Sequence, residues 1–421
     1  MTYLAATLPV MSLAEDSVGR FASAANRYRY EVGLAEKAVA LRPGRIAASF
    51  TGDRILRIDG QPISGFAELS GFFEAADGWV RTHGNYPHHR ERLLGALELP
   101  ESADRDAVVA RMRSLAAADV EERANDVGAI AVRVRTESEW STSAQGIAAA
   151  DGPIVGFDVR SDWVRAAPDA DATSTRPLTG VRVLDLTRVI AGPTATRALG
   201  LLGADVLRID PPHLPEIEAQ HVENGQGKRS ALLDLRTDSE AFRGLLSKAD
   251  VLVSGYRPGA VERFIDVDAL PAGIVWARVC AWSERGPWAK RRGFDSIVQA
   301  ASGISLIEGG ATPGALPAQA LDHATGYYLA AGIVEALAAR VADRFGTTVT
   351  ASLARTAAWL LSAPGRTPDH AALTQPGPDC AVTRGTLVTA RPALADYDDY
   401  SFPARPWGRD EPGWMVACGN G

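Results

Sequence analysis

The sequence predicts an α/β protein built on a doubly wound parallel sheet, with a smaller α+β domain ahead of it. Three observations carry that expectation. Val181 to Leu186 is an apolar, β-branched run too short for a helix, so it reads as a buried strand. Behind it come Gly192 and Pro193, a helical stripe of Ala195, Ala198, Leu199 and Leu202 stopped by Gly203, and a second strand-like run from Ala204 to Asp210. Strand, loop, helix and strand in one short stretch form a βαβ unit, and hence part of a parallel sheet. Third, the alternation continues, with strand patterns at 227–235, 250–254 and 274–280 interleaved with helical patterns at 239–249, 294–303 and 325–344. Ligands of such sheets bind beyond the carboxyl ends of the strands, which points to the loop Arg188–Thr194.

Ahead of this, a helix is expected over Ser17–Glu31, followed by AVALRPGRIAASF, a strand-like run broken by Pro43 and Gly44. At an offset of 310 it matches TVTASLARTAAWL, pairing Val39 with Val349, Arg45 with Arg355, Ala47 with Ala357 and Ala48 with Ala358. Residues 1–52 therefore read as a partial repeat of the sheet domain. Residues 53–165 make the small α+β domain. It has short strands around the Asp59-Gly60 and Asp77-Gly78 turns, a helix at His88–Leu97, another over Asp106–Val127 and a strand at Ile130–Val134. A polar, proline-bearing linker covers 166–178, the sheet domain 179–362, and an extended tail 363–421 runs over the surface.

Composition limits the function. The 421 residues exceed one ordinary core, and 46% hydrophobic with 23% charged residues is the balance of a soluble globular protein. No stretch approaches the length of a membrane span, and the start MTYLAATLPVMSLAED lacks the basic region of a signal peptide. Cys280, Cys380 and Cys418 are far apart without ligand-like spacing, which fits a cytoplasmic protein and offers no metal framework. The cluster His83, His88 and His89 is not expected to hold a metal, because adjacent histidines at a helix start point different ways. A net charge of -7 disfavours nucleic acid as partner. A nicotinamide dehydrogenase is disfavoured too. Asp210 ends the second strand as that fold requires, but AGPTATRALG lacks the glycines that let backbone approach a pyrophosphate. Basic residues nevertheless gather near strand ends, at Lys228, Arg229, Arg236, Arg257, Arg263 and Lys290 to Arg292, and read as an anion pocket with Tyr256 as a ring for a purine.

The blocks GVRVLDLTRVIAGPTATRALGLLGADVLRID, GKRSALLDLRT, ADVLVSGYRPGAVERF, RGPWAKRRGFDSIVQAASG, LDHATGYYLAAGIVEALAARVA and TVTASLARTAAWL follow one another in this order. Together they resemble the family III CoA-transferases, the formyl-CoA transferase and carnitine CoA-transferase group, with its Rossmann-like half. DGWVRTHGNYPHHRERLLGAL and RTESEW resemble the same family's smaller domain, which normally follows that half, so the order here looks rearranged. The resemblance implies a nucleophilic aspartate at Asp322, placed before the long helix where N–H groups would keep it ionised and steady oxyanions. It implies coenzyme A contacts from Val189, Leu233, Arg236, Tyr256, Arg263 and Arg292. It further implies acyl-CoA as substrate rather than a tightly bound cofactor, a small organic acid as acceptor, and a homodimer. Pro211 stands where some members of the family have a basic residue near the adenine, Ile190 stands where the formyl-CoA enzyme has a glutamine, and that enzyme's glycine-rich covering loop is not recognisable. Phe294 stands where α-methylacyl-CoA racemases of this fold carry a histidine, which favours transfer over racemisation. An acyl-CoA racemase-like relative or a non-catalytic acyl-CoA-binding subunit is the alternative.

Overall fold

A computed structural model of the chain describes residues 2–63, 65–164, 171–267 and 270–415. Cys418 and residues 166–170 of the expected linker lie outside them. Helix α1 (Val10–Glu31) starts before Ser17, because Val10, Leu13 and Ala14 extend the buried stripe of Val18, Phe21 and Ala25. The strand-like reading of the next run is overturned: α2 (Pro43–Phe50) is a helix with its proline in the first turn, where a fixed φ and a missing N–H suit a helix start. The likeness to the later segment therefore extends to the helix and not to a strand, since residues 34–40 have no regular structure.

After α3 (Gly52–Ile55), β1 (Arg57–Ile58) and β2 (Gln61–Pro62) form a hairpin whose turn residues Asp59 and Gly60 both have positive φ, 51° and 75°. Strands β3 (Phe72–Ala75) and β4 (Gly78–Thr82), helices α4 (Pro87–Ala96), α5 (Arg105–Arg113) and α6 (Ala117–Asp126), and β5 (Ala131–Arg133) close a small antiparallel sheet with its own core of Phe73, Val80, Leu93, Val108, Met112 and Val120. The helix expected over Asp106–Val127 is two helices. Asp77 in the β3–β4 turn accepts the Ala117 N–H at 2.7 Å and Ala76 N–H bonds Leu115 O at 2.9 Å, which pulls the chain out of helix between them. Two short helices, α7 (Glu137–Thr142) and α8 (Ala144–Ala150), then lead to β6 (Gly156–Trp163).

The large sheet continues with β7 (Arg182–Leu186), α9 (Ala191–Leu201), β8 (Asp205–Asp210), α10 (Glu218–Asn224), β9 (Arg229–Leu232), α11 (Ser239–Leu246), β10 (Val251–Ser254) and β11 (Val275–Cys280). Then come α12 (Asp295–Ser302), α13 (Ile304–Gly309), α14 (Ala320–Asp343), β12 (Phe345–Ser352) and α15 (Leu353–Ser362). Among the described residues its order is β6-β12-β11-β10-β7-β8-β9, parallel except for β6. From β9 to β12 this is the 3-2-1-4-5-6 order of dinucleotide-binding sheets, with the chain reversing direction between β7 and β10. One face buries α9, α12, α14 and α15 in a core that also takes up α1 and α2. The Tyr328 hydroxyl on α14 donates to Asp16 on α1 at 2.6 Å, tying the first segment to the sheet domain. The other face packs Phe242, Leu245 and Leu246 of α11 on Leu184, Leu207 and Leu252.

Two boundaries differ from expectation. Strand β6, placed by the sequence in the small domain, is the antiparallel edge of the large sheet. The tail is not merely extended: β13 (Ala381–Arg384) and β14 (Leu387–Ala390) pair with the β1–β2 hairpin in a four-stranded sheet. Farther on, the tail covers the outer edge of β9, with Asp410 N–H bonding Ser230 O at 2.7 Å and Trp407 Nε1 donating to Asp210 at 3.1 Å.

Candidate active site

A cavity of about 560 Å³ opens at the carboxyl ends of β7, β8, β10 and β11, at the place where the strand order reverses. Every site residue named from the sequence lines it: Asp322, Val189, Leu233, Arg236, Tyr256, Arg263 and Arg292. So do Ile190, Pro211 and Phe294, the positions of departure. Another part of the wall comes from the N-terminal part of the same chain, through Tyr86, His88, His89 and Arg92 on or beside α4 and through Ile130.

Local backbone explains how the floor is assembled. The long helix begins at Ala320 rather than Thr325, so Asp322 lies inside its first turn. Gly326, one turn on, lets α14 approach the start of α9, since a Cβ there would stand 2.5 Å from Ala191 O. Val189 adopts φ 70°, unusual for a β-branched residue, and is held there by its N–H to Glu216 at 3.2 Å and by Asn224 Nδ2 donating to its carbonyl at 3.1 Å.

The electrostatics of Asp322 differ from expectation. The N–H groups at the start of α14 do not hold the Asp322 carboxyl. Asp295, in the first turn of α12, takes them instead: its Oδ2 accepts the Asp322 N–H at 2.9 Å, the Leu321 N–H also reaches it, and Gln299 Nε2 donates to its other oxygen. Burial raises the Asp322 carboxyl well above the usual carboxylate range, and the neighbouring Asp295 charge adds to this. Asp295 is raised by burial too, but its three N–H donors favour its ionised form, so the resting proton of the pair belongs on Asp322.

A second buried carboxyl behaves oppositely. Burial alone would raise Glu216, yet Arg208 at 2.8 Å, Arg188 at 3.3 Å and the Tyr86 hydroxyl at 2.5 Å outweigh it and bring it down to about 2. This cluster clasps the N-terminal part, through Tyr86, to the loop after β7.

Cations line the cavity wall unevenly. Arg188 is spent on Glu216, Arg236 on Asp234 at 2.6 Å, and Arg291 on Glu121 at 3.3 Å. Among the described residues, Arg92, Arg257, Arg263 and Arg292 make no salt bridge. Burial and then the like charges of Arg92 and Arg257 push Arg292 down to about 10, and its Nε is buried without a partner. Such a set is suited to an anion. Tyr256 is raised to about 12 by burial, and Leu233 is packed in the α11 core.

Sequence reasoning missed Asp295, Glu216, Arg92 and the cavity-facing role of His89. The PHHRER start of α4 carried a signal: His89 and Arg92 stand three residues apart, on one helical face. His83 stacks on Phe294 with centroids 3.9 Å apart, so the histidines pack as rings. Among the described residues no group of three or more metal-ligating side chains is suited to a metal.

Fold and cavity together define a protein of the dinucleotide-sheet class with a cation-lined cleft and a buried carboxyl raised above the usual carboxylate range. Residues 178–379 match the model of CoA-transferase family III. The chain is 29% identical to the acetyl-coenzyme A transferase nodX of Hypoxylon pulicicidum, over 72% of this chain and 56% of that protein. Formyl-CoA:oxalate CoA-transferase of Streptomyces coelicolor is 29% identical over 59% of this chain and 62% of its own length. Human succinyl-CoA:glutarate CoA-transferase is 30% identical over 40% and 43%. A crystal structure of a CAIB/BAIF family protein from Brucella suis is 26% identical, with a TM-score of 0.42, over 45% of this chain and 56% of that one. The chain spans about half the length of the curated relatives it matches.

Proposed function

We propose that this protein transfers coenzyme A between an acyl-CoA and a carboxylic acid, with Asp322 as nucleophile. The observation that carries the reading is a carboxyl on the floor of a cavity whose wall holds four guanidinium groups without salt-bridge partners, in a protein of net charge -7. Phosphates of coenzyme A match those cations, and Val189, Leu233 and Tyr256 give the adenine and pantetheine apolar surface. The position of the cavity across a parallel-sheet switch point supports the same reading.

The chemistry needs Asp322 ionised, so its proton must first leave through the open cavity. An Asp322 oxygen then attacks the thioester carbonyl, the C–S bond breaks, and CoA thiolate departs from a mixed anhydride. The thiolate attacks the Asp322 carbonyl of that anhydride, freeing the donor acid and leaving an aspartyl-CoA thioester. The acceptor carboxylate attacks this thioester, thiolate returns to the acceptor's carbonyl, and Asp322 is regenerated as acyl-CoA leaves. Asp295 takes no part in bond making. It fixes the first turn of α14, and so the direction of the nucleophile.

An acyl-CoA-binding subunit has one observation on its side: a neutral Asp322 is a poor nucleophile. One experiment separates the two readings. The protein and its Asp322→Ala variant are incubated with acetyl-, formyl- and succinyl-CoA plus hydroxylamine and weighed intact. An aspartyl hydroxamate in the unaltered protein alone supports transfer. Coenzyme A binding without labelling by any of them makes the binding subunit the account to keep.

A further inference from the structure

The part of the cavity wall formed by the N-terminal segment holds a side chain that the covalent scheme does not use. His89 is 5% exposed and lines the cavity, and its Nδ1 is buried without a hydrogen-bond partner. Rings fix its plane: His88 at 4.2 Å, Tyr86 edge-on at 5.2 Å, and His83 and Phe294 each at 5.8 Å between centroids. An unpartnered buried nitrogen costs least when it carries no proton, so the proton belongs on Nε2, the nitrogen left to meet a ligand.

His89 is also close to the reacting centre in the fold. Phe294, which it touches, directly precedes Asp295, and Asp295 holds the Asp322 amide at 2.9 Å. Of the other polar groups near it, the Tyr86 hydroxyl is on Glu216 and the Arg188 guanidinium is paired with the same carboxylate, while Arg92 and Arg292 are left for an anion. Phe294, Ile190 and Ala191 offer no polar side-chain atom. A thioester carbonyl lying over Asp322 would gain negative charge in each tetrahedral adduct, and the start of α14 cannot receive it because Asp295 has taken its N–H groups.

Resting on the CoA-transfer reading above, we propose that His89, brought by the N-terminal part of the chain, contacts the substrate and donates an Nε2–H hydrogen bond to the acyl oxygen attacked by Asp322. The segment matching the transferase family, 178–379, thus supplies the nucleophile, and a segment outside it supplies an oxyanion donor. The ring acts as a donor and not as a proton shuttle. Burial, then His83, His88, Arg292 and Arg92, press it down to about 2, too weak a base to take a proton from a substrate carbon.

The test compares His89→Leu and His89→Gln with the unaltered protein, reading coenzyme A affinity by calorimetry and the rate of Asp322 hydroxamate formation from the acyl-CoA that works. The Leu variant is expected to bind coenzyme A within about twofold of the unaltered protein while labelling about 10- to 100-fold more slowly. The Gln variant, which keeps an N–H donor, is expected to recover part of the loss. Labelling of the Leu variant at the unaltered rate overturns the proposal, as does equal loss in both variants with coenzyme A affinity intact. If the Leu variant fails to bind coenzyme A, the Gln variant decides alone: labelling as fast as the unaltered protein, or within tenfold of it, supports the donor role, and a deeper loss overturns it. Failure of the unaltered protein to label with any acyl-CoA overturns the parent reading and this one with it, a result distinct from a failure confined to His89.

Discussion

Glu216 and Asp322 are both buried carboxyl groups beside one cavity, and their surroundings drive them in opposite directions. Glu216 has two arginines and a tyrosine hydroxyl and stays ionised far into acid. Asp322 is raised well above the usual range by burial, and the like charge of Asp295 adds to this. Burial penalises both charges equally in kind, so the partners decide the outcome. The satisfied carboxylate works as a fastener between the two parts of the chain. The unsatisfied one is destabilised in its charged form, which is the condition of a group reserved for chemistry.

Replacement at the two positions should separate these roles. Asp322→Asn is expected to lower hydroxamate labelling by about 10³-fold or more while leaving coenzyme A affinity unchanged, because the nucleophile is lost and the cations are not. Labelling at a comparable rate at another residue would remove Asp322 from the scheme. Glu216→Ala should leave labelling chemistry in place but cost about 3–5 kcal/mol of stability, since Arg188 loses its carboxylate partner and Arg208 keeps only Asp210. Urea unfolding measures this. A loss below 1 kcal/mol would mean that water reaches the cluster.

The contrast extends to pH. Labelling should rise about tenfold per pH unit below the titration of the Asp322–Asp295 pair and then level off, because only ionised Asp322 attacks. A profile that is flat from acid upward would mean that the nucleophile is ionised at rest. Stability runs the other way at this site. A carboxyl raised in the folded state stabilises below its unfolded pKa, and that contribution is lost as pH rises through the folded value. Asp322→Asn should therefore melt above the unaltered protein at alkaline pH and level with it in acid, as scanning calorimetry would show. Glu216, lowered in the folded state, contributes stability above its ordinary range and loses it as pH falls toward about 2. The smallest of these effects is expected from Tyr86→Phe, which removes one hydrogen bond to a charged acceptor and about 1.5–3 kcal/mol with it. A change in labelling larger than its change in stability would show that the clasp also shapes the site.

Much of this molecule is legible in the residues. Short β-branched runs, glycine stops and helical stripes locate β7, α9, β8, β10 and β11, and the blocks of the sheet domain point to residues that the fold gathers round one cavity. Where expectation failed, a long-range contact intervened. Asp77 breaks the helix over Asp106–Val127 from a turn distant in sequence. Strand β6 leaves its own domain for the edge of β12. Asp295 takes the N–H groups that local reasoning assigns to Asp322.

By itself the sequence determined which segments are strands and helices of the sheet domain, and which residue types its strand ends present to a ligand, because periodicity and turn chemistry are local properties of the chain. Only the tertiary structure decided that α4 lines the cavity from within the same chain, that the Glu216 carboxyl is pushed down and that the Asp322 carboxyl is pushed up. Protonation in a buried site depends on which charges packing brings within a few ångströms, and no spacing along the chain records that.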